Sequence, residues 1–183
     1  MKTDARVRYT KRVIKGSLLQ LLAQKPIKEI TVKEICELAE INRATFYTHY
    51  QDPYDLLEQI ENELFEDISS TVATKQDDIT SMIQEIFKVI EKNIDLCRVL
   101  FSENSDQMFL RRIMDIAREN QIADLQHQYP HVSRTQLEYI YEFLASGAVA
   151  VVAQWVRSGM REVPQGLGDV IKQVHETWLK ALI

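Results

Sequence analysis

The amino-acid sequence predicts an all-α protein, with an N-terminal three-helix helix-turn-helix head followed by a larger helical region. Three observations carry the prediction. Apolar residues recur at helical spacing through most of the chain, and only five glycines and four prolines punctuate its 183 residues. Three successive helix starts between Ile30 and Leu57 can also be read from capping chemistry. A hydrophobic share of 45% with 27% charged residues is that of a globular chain able to bury a core.

The first helix is marked by Ile14, Leu18, Leu21 and Leu22 and is expected to break at Lys25-Pro26. Thr31 then caps a second helix, Glu34 stands three residues on where it can reach back, and Ile30 and Ile35 occupy staple positions. Ala39-Glu40-Ile41 leaves room for a tight turn only. Asn42 caps a short helix running through His49, with Ile41 and Phe46 as its staple. Asp52 caps the next helix, Pro53 takes the first position where its missing N–H costs nothing, and Asp55 lies in the first turn. Leu56, Ile60, Leu64 and Ile68 continue that helix. Further helical runs are Ile79 to Ile90, Phe109 to Ile116 and Ile140 to Val151, with breaks expected at Ser102 to Ser105, Tyr129 to Ser133 and Ser158 to Gly168. The pattern divides the chain into a head over residues 1–52 and a helical region over residues 53–183.

The net charge of −5 argues against a nucleic-acid partner until the charges are placed along the chain. Residues 1–50 hold ten Lys and Arg against five Asp and Glu, whereas the remainder holds twelve against twenty-two. A basic head on an acidic body can meet a phosphate backbone through one end.

Two short helices joined by a turn of three or four residues form a helix-turn-helix, whose second helix offers its N-terminal residues to the major groove. At 3.6 residues per turn, Phe46 and Tyr50 point into a small core with Ile35, Leu38 and Leu18, while Arg43, Ala44, Thr45 and Thr48 fall on the other side. Arg43 is the candidate base reader, because its planar fork matches two acceptors on a guanine edge. Tyr47 and His49 at the rim suit phosphate oxygens. The basic residues before Thr10 read either as a solvated tail or as an arm that places Arg6 or Arg8 in a minor groove.

The run Thr31-Val-Lys-Glu-Ile-Cys-Glu-Leu-Ala-Glu-Ile-Asn-Arg-Ala-Thr-Phe-Tyr-Thr-His-Tyr50, followed by Asp52 to Leu57, resembles the signature of the tetracycline-repressor (TetR) family of bacterial regulators. The resemblance covers about the first sixty positions. It implies a double-stranded DNA partner and places residues matching Lys33, Arg43, Ala44, Thr45, Tyr47 and His49 at the DNA surface; Thr31 and Thr48 complete the candidate set. One departure is Pro53, where the family usually carries a phosphate-contacting lysine, a role left to Lys11, Arg12 or the arm.

The resemblance further implies a homodimer built from the last two helices, here roughly Thr135 to Arg157 and Gln165 to Leu182. Gly147, Ala148, Ala150 and Ala153 are small enough for close helix approach, and Val149, Val152, Trp155, Val156, Val174, Trp178 and Leu182 supply apolar area. The same residues also suit an intramolecular core. A small apolar effector is implied as well, with Phe87, Ile90, Phe101, Met108, Phe109, Met114, Tyr139 and Phe143 as the candidate pocket; ordinary packing is the other reading of that set.

Other function classes find little support. The longest nearly apolar stretch, Gly147 to Val156, is short of the roughly 20 residues of a membrane span, and no basic segment followed by an apolar run opens the chain, so a cytoplasmic protein is expected. Cys36 and Cys97 read as buried thiols. His127 and His131 are interrupted by Pro130 and lack a third ligand, so no metal or cofactor is expected. His175 and Glu176 read as surface polar residues, and no nucleophile, base and orienting acid stand together, so an enzyme is not expected. The expected function is a sequence-specific regulator, a repressor acting as a homodimer on a near-palindromic site. The alternative is a DNA-anchored protein-interaction module of the same fold without an effector, favoured if the body lacks an apolar pocket.

Overall fold

The computed structural model describes residues 2–73, 79–101 and 107–181, and they form ten α-helices and one short 3-10 turn. The chain divides into two compact units, Met1–Leu64 and Phe65–Ile183. The first unit reaches twelve residues beyond the head boundary at 52, because it takes in the beginning of a long helix.

In the first unit, α1 (Lys2–Leu22) and α2 (Val32–Leu38) pack together, and α2 packs on α3 (Arg43–Tyr47). Ile14, Leu18, Ile35 and Phe46 are wholly buried, which is the small core expected from the helical spacing. Leu38 departs from that expectation. It ends α2 with 41% of its surface exposed, so the core of the head closes without it. The basic stretch before Thr10 is helical and opens α1, and Ala5 to Tyr9 are exposed on all sides of it. The expected break at Lys25-Pro26 is present, followed by the 3-10 turn Ile27–Glu29.

Helix α4 (Pro53–Ala73) begins in the first unit and ends in the second. Leu56, Ile60, Leu64 and Ile68 are all buried along it. The second unit continues with α5 (Ile79–Lys92), α6 (Ile94–Leu100), α7 (Gln107–Ile116), α8 (Arg118–Gln128), α9 (Arg134–Arg157) and α10 (Pro164–Ala181). Helix α10 packs on α5 and α9, and α9 also packs on α6, α7 and α8. Gly168 of α10 meets α5 closely, since a Cβ there would stand 3.3 Å from Ile83 Cγ2.

Two helix breaks that lie wholly within the described residues of this unit carry no Gly or Pro. At Asn93 the side-chain amide donates to Val89 O at 3.0 Å and the chain turns from α5 into α6; at Ala117 it turns from α7 into α8. The break before α9 is better marked, by a capping box in which Ser133 and Gln136 satisfy each other's backbone N–H. The expected break at Ser102 to Ser105 lies outside the described residues. By length and composition α9 is apolar enough to cross a membrane, with a mean hydropathy of 1.3 over its best window, but it packs on four other helices of its unit.

Candidate nucleic-acid interface and body cavity

The helix-turn-helix is built from its caps outward. Thr31 Oγ1 accepts from Glu34 N at 3.3 Å and donates to Glu34 Oε2 at 2.8 Å, while Thr31 N donates to Glu34 Oε2 at 3.0 Å. Lys25, before the turn, donates to the other carboxylate oxygen at 2.6 Å. That ammonium and the two Thr31 hydrogen bonds hold the Glu34 carboxyl down at about 2. Sequence reasoning assigns Lys25 no role, although its charge stands next to a proline-marked turn.

After α2, Glu40 adopts φ 53°, a left-handed conformation that costs a non-glycine residue energy, and Ile41 N donates back to Cys36 O at 3.0 Å. This reversal aims α3 away from α2. Asn42 Oδ1 then accepts from Thr45 N at 2.7 Å and from Thr45 Oγ1 at 3.0 Å. Helix α3 stops at Tyr47 instead of running through His49, because the chain must turn toward the next cap within five residues. Asp52 Oδ1 accepts from the N–H groups of Tyr54 and Asp55, and Asp55 Oδ2 accepts from Gln51 N at 2.7 Å, which lowers the Asp55 pKa.

These caps sort the eight candidate DNA residues into two groups. Arg43, Ala44 and Tyr47 are exposed on α3 with Thr48 after them, and Arg43 has no hydrogen bond or ion pair among the described residues. Tyr47 is 57% exposed, with its ring edge-on to Phe46 at 5.7 Å. His49 is half-buried beside Tyr50. Lys33 is exposed and lies 3.7 Å from Glu37. The three threonines are engaged locally: Thr31 and Thr45 in caps, and Thr48 Oγ1 donating to Ala44 O at 2.8 Å. Pro53 is buried and presents nothing to a partner. The exposed neighbour Tyr54, 55% accessible, is not marked by any sequence signal.

In the body, an apolar cavity of about 350 Å³ is lined by residues of α4, α5, α7, α8, α9 and α10. Of the eight residues expected to form a pocket, Met114 and Phe143 line it. Phe87, Ile90, Phe101 and Phe109 are buried elsewhere in the core, and Met108 and Tyr139 are more than two-thirds exposed. Helical spacing identifies an apolar face but not which part of it meets a void, so the cavity falls on aliphatic positions such as Ile83, Ile86 and Val151. His175, expected at the surface, is half-buried and lines this cavity; burial pushes its imidazole below the ordinary range.

The apolar set on the last two helices also divides. Trp155 and Val156 are each 2% exposed and belong to the core of the single chain: Trp155 meets Phe87 edge-to-face at 4.8 Å and its indole N–H donates to Glu162 O at 3.0 Å. Val149 lines the cavity, Val152 is half-buried, and Val174 is 45% exposed. The Trp178 side chain and Leu182 lie outside the described residues.

Comparison with known proteins agrees with this architecture. A family model described as "Bacterial regulatory proteins, tetR family" matches residues 17–60, and a TetR-type model described as "Transcriptional regulator C-terminal region" matches residues 77–176. The chain is similar to the uncharacterized HTH-type transcriptional regulator YxbF of Bacillus subtilis, 32% identical over 59 residues, which are 32% of this chain and 16% of that protein's length. Among solved structures it is similar in fold to a TetR transcriptional regulator from Streptococcus agalactiae 2603V, with TM-score 0.68, 22% identity, and 96% and 98% of the two chains covered. It is also similar to the dihydroxyacetone kinase operon activator DhaS, with TM-score 0.61, 18% identity, and 94% and 97% covered. With the helix-turn-helix geometry of the head and family matches over both units, the chain belongs to the TetR family of DNA-binding transcriptional regulators.

Proposed function

We propose that this chain acts as a homodimeric, sequence-specific regulator that sets two α3 helices into successive major grooves of a near-palindromic site, about 10 base pairs apart. The observation that carries the reading is α3 itself. Phe46 is wholly buried while Arg43, Ala44 and Tyr47 are exposed on the same five-residue helix, which begins at a side-chain cap. Arg43 reads a guanine edge, Tyr47 donates to a phosphate, and Lys33 adds charge beside the groove. At the start of α4, Asp52 and Asp55 already occupy the backbone donors and Pro53 offers no cation. Phosphate binding there falls instead to the exposed Lys11 and Arg12 of α1.

The dimer reading is supported by the exposed apolar residues of the last two helices, Tyr139 and Phe143 on α9 and Val170 and Val174 on α10, of which the last three also line the edge of the body cavity. The body cavity supports control by a small apolar effector that favours one spacing of the two heads over another, and it weighs against the DNA-anchored module without an effector. Such a regulator acts in the cytoplasm without catalysing a reaction, and represses by occupying its operator against polymerase.

The test is selection from a random duplex library at two salt concentrations, sequencing what is retained and counting protomers per duplex. A palindrome holding two protomers supports the reading; retention without sequence preference contradicts it. Transcription from the recovered site then reads the sign of control, and stimulation would place this chain with DhaS, which is named an activator.

A further inference from the structure

We propose that the body cavity is built for an uncharged, largely apolar molecule carrying a single polar group, the chemistry of a medium-chain alcohol or ketone. Its walls are aliphatic, Ile68, Met82, Ile83, Ile86, Val151 and Ile171 among them, and none of the lining residues among the described ones is Lys, Arg, Asp or Glu. A carboxylate or an ammonium entering it would give up its hydration with no opposite charge to replace it. At about 350 Å³ the cavity falls at the small end of the roughly 300–1,000 Å³ typical of ligand pockets, which suits a medium-chain rather than a bulky molecule.

Among the described residues, three polar side chains break the apolar lining. The Tyr141 hydroxyl is already used, donating to Met114 O. The Gln121 amide and the His175 imidazole are half-buried and have no hydrogen bond among the described residues. Half-buried groups left without partners are the ones a ligand hydroxyl or carbonyl would satisfy. Burial favours the neutral form of the His175 imidazole, in which it offers one donor and one acceptor.

The cavity's role in control rests on the regulator reading; its binding of a ligand does not. The test uses the full chain at pH 8 with n-decanol, decanoate and n-decylamine, followed by calorimetry and thermal melting, with operator binding measured on the same samples. Decanol is expected to bind saturably, at least tenfold more tightly than either charged probe, and to raise Tm by about 5 °C or more at ~100 times its Kd. Ala148→Trp inside the cavity and Val174→Trp at its rim should each weaken decanol tenfold or more while far-UV circular dichroism is retained. Equal binding of decanoate overturns the inference, as does unchanged decanol affinity in either folded variant. Dissociation of a dimer by decanol without a rise in Tm also overturns it, because the groove would then be a protein contact. Loss of decanol binding with operator binding intact counts against this inference alone, and the reverse counts against the regulator reading alone.

Discussion

In the head, helices of seven and five residues are held by side chains at named positions, Thr31 with Glu34 and Asn42 with Thr45, and Asp52 caps the start of α4 through Tyr54 and Asp55. In the body α5, α9 and α10 run for 14, 24 and 18 residues, and α9 lies against α6, α7, α8 and α10, with a cavity left between helices that do not fill their shared space. The difference follows from size. A short helix cannot bury enough surface to hold itself and needs its terminal N–H groups satisfied. A long amphipathic helix is held by its apolar stripe and tolerates a void in its packing. The head is therefore suited to a fixed reading surface, and the body to a variable one.

The largest effect that separates the two units is expected from Phe46→Ala, which empties the core of the head and should cost about 3–5 kcal/mol. Both tryptophans, Trp155 and Trp178, belong to the second unit. Denaturation followed by tryptophan fluorescence should then be little changed, while the far-UV dichroism transition gains an earlier phase. Equal shifts in both signals would show the units unfolding as one and would break the comparison.

Thr31→Ala removes one cap and should lower the stability of the head by about 1 kcal/mol, measured by denaturant midpoint, with DNA affinity disturbed only secondarily. An unchanged midpoint would contradict the role given to caps.

Acid acts on the same network. Glu34 titrates at about 2 in the folded head against 4.5 ordinarily, so its contribution is full above pH 4.5 and is lost as the pH falls toward 2. Lys25→Met, which removes the largest cause of that shift, should flatten this acid-induced loss in a pH series of melts. The smallest effect is expected at Glu40, whose left-handed φ suits glycine: Glu40→Gly should leave stability unchanged or raise it by up to about 1 kcal/mol, the relief of strain being partly offset by chain entropy.

Legibility in the sequence follows the same division. Caps are local chemistry, so the starts of α2, α3 and α4 are readable residue by residue, and so is the exposure of Arg43, Ala44 and Tyr47. Which hydroxyls are free is less readable. Thr45 and Thr48 lie on the polar side of α3 yet bond to Asn42 and Ala44, because a threonine on a short helix finds a backbone or cap partner within one turn. The opening of α1 escapes sequence reasoning because Ala5 to Tyr9 are all exposed and carry no apolar stripe. In the body, the turns at Asn93 and Ala117 have no glycine or proline to mark them. Trp155 and His175 show the deeper difficulty. Periodicity places a residue on a helix face, but whether that face meets the core, a cavity or solvent is decided by helices far away in sequence.

In the proposed function α3 reads sequence through Arg43 and position through Tyr47. The most direct test compares Arg43→Ala with Tyr47→Phe on the selected palindrome and on a set of single-base variants of it. Arg43→Ala should cost about 1–3 kcal/mol on the palindrome and erase the preference at one base position in each half-site, whereas Tyr47→Phe should weaken every duplex alike. Equal losses on all sequences for both substitutions would contradict the account.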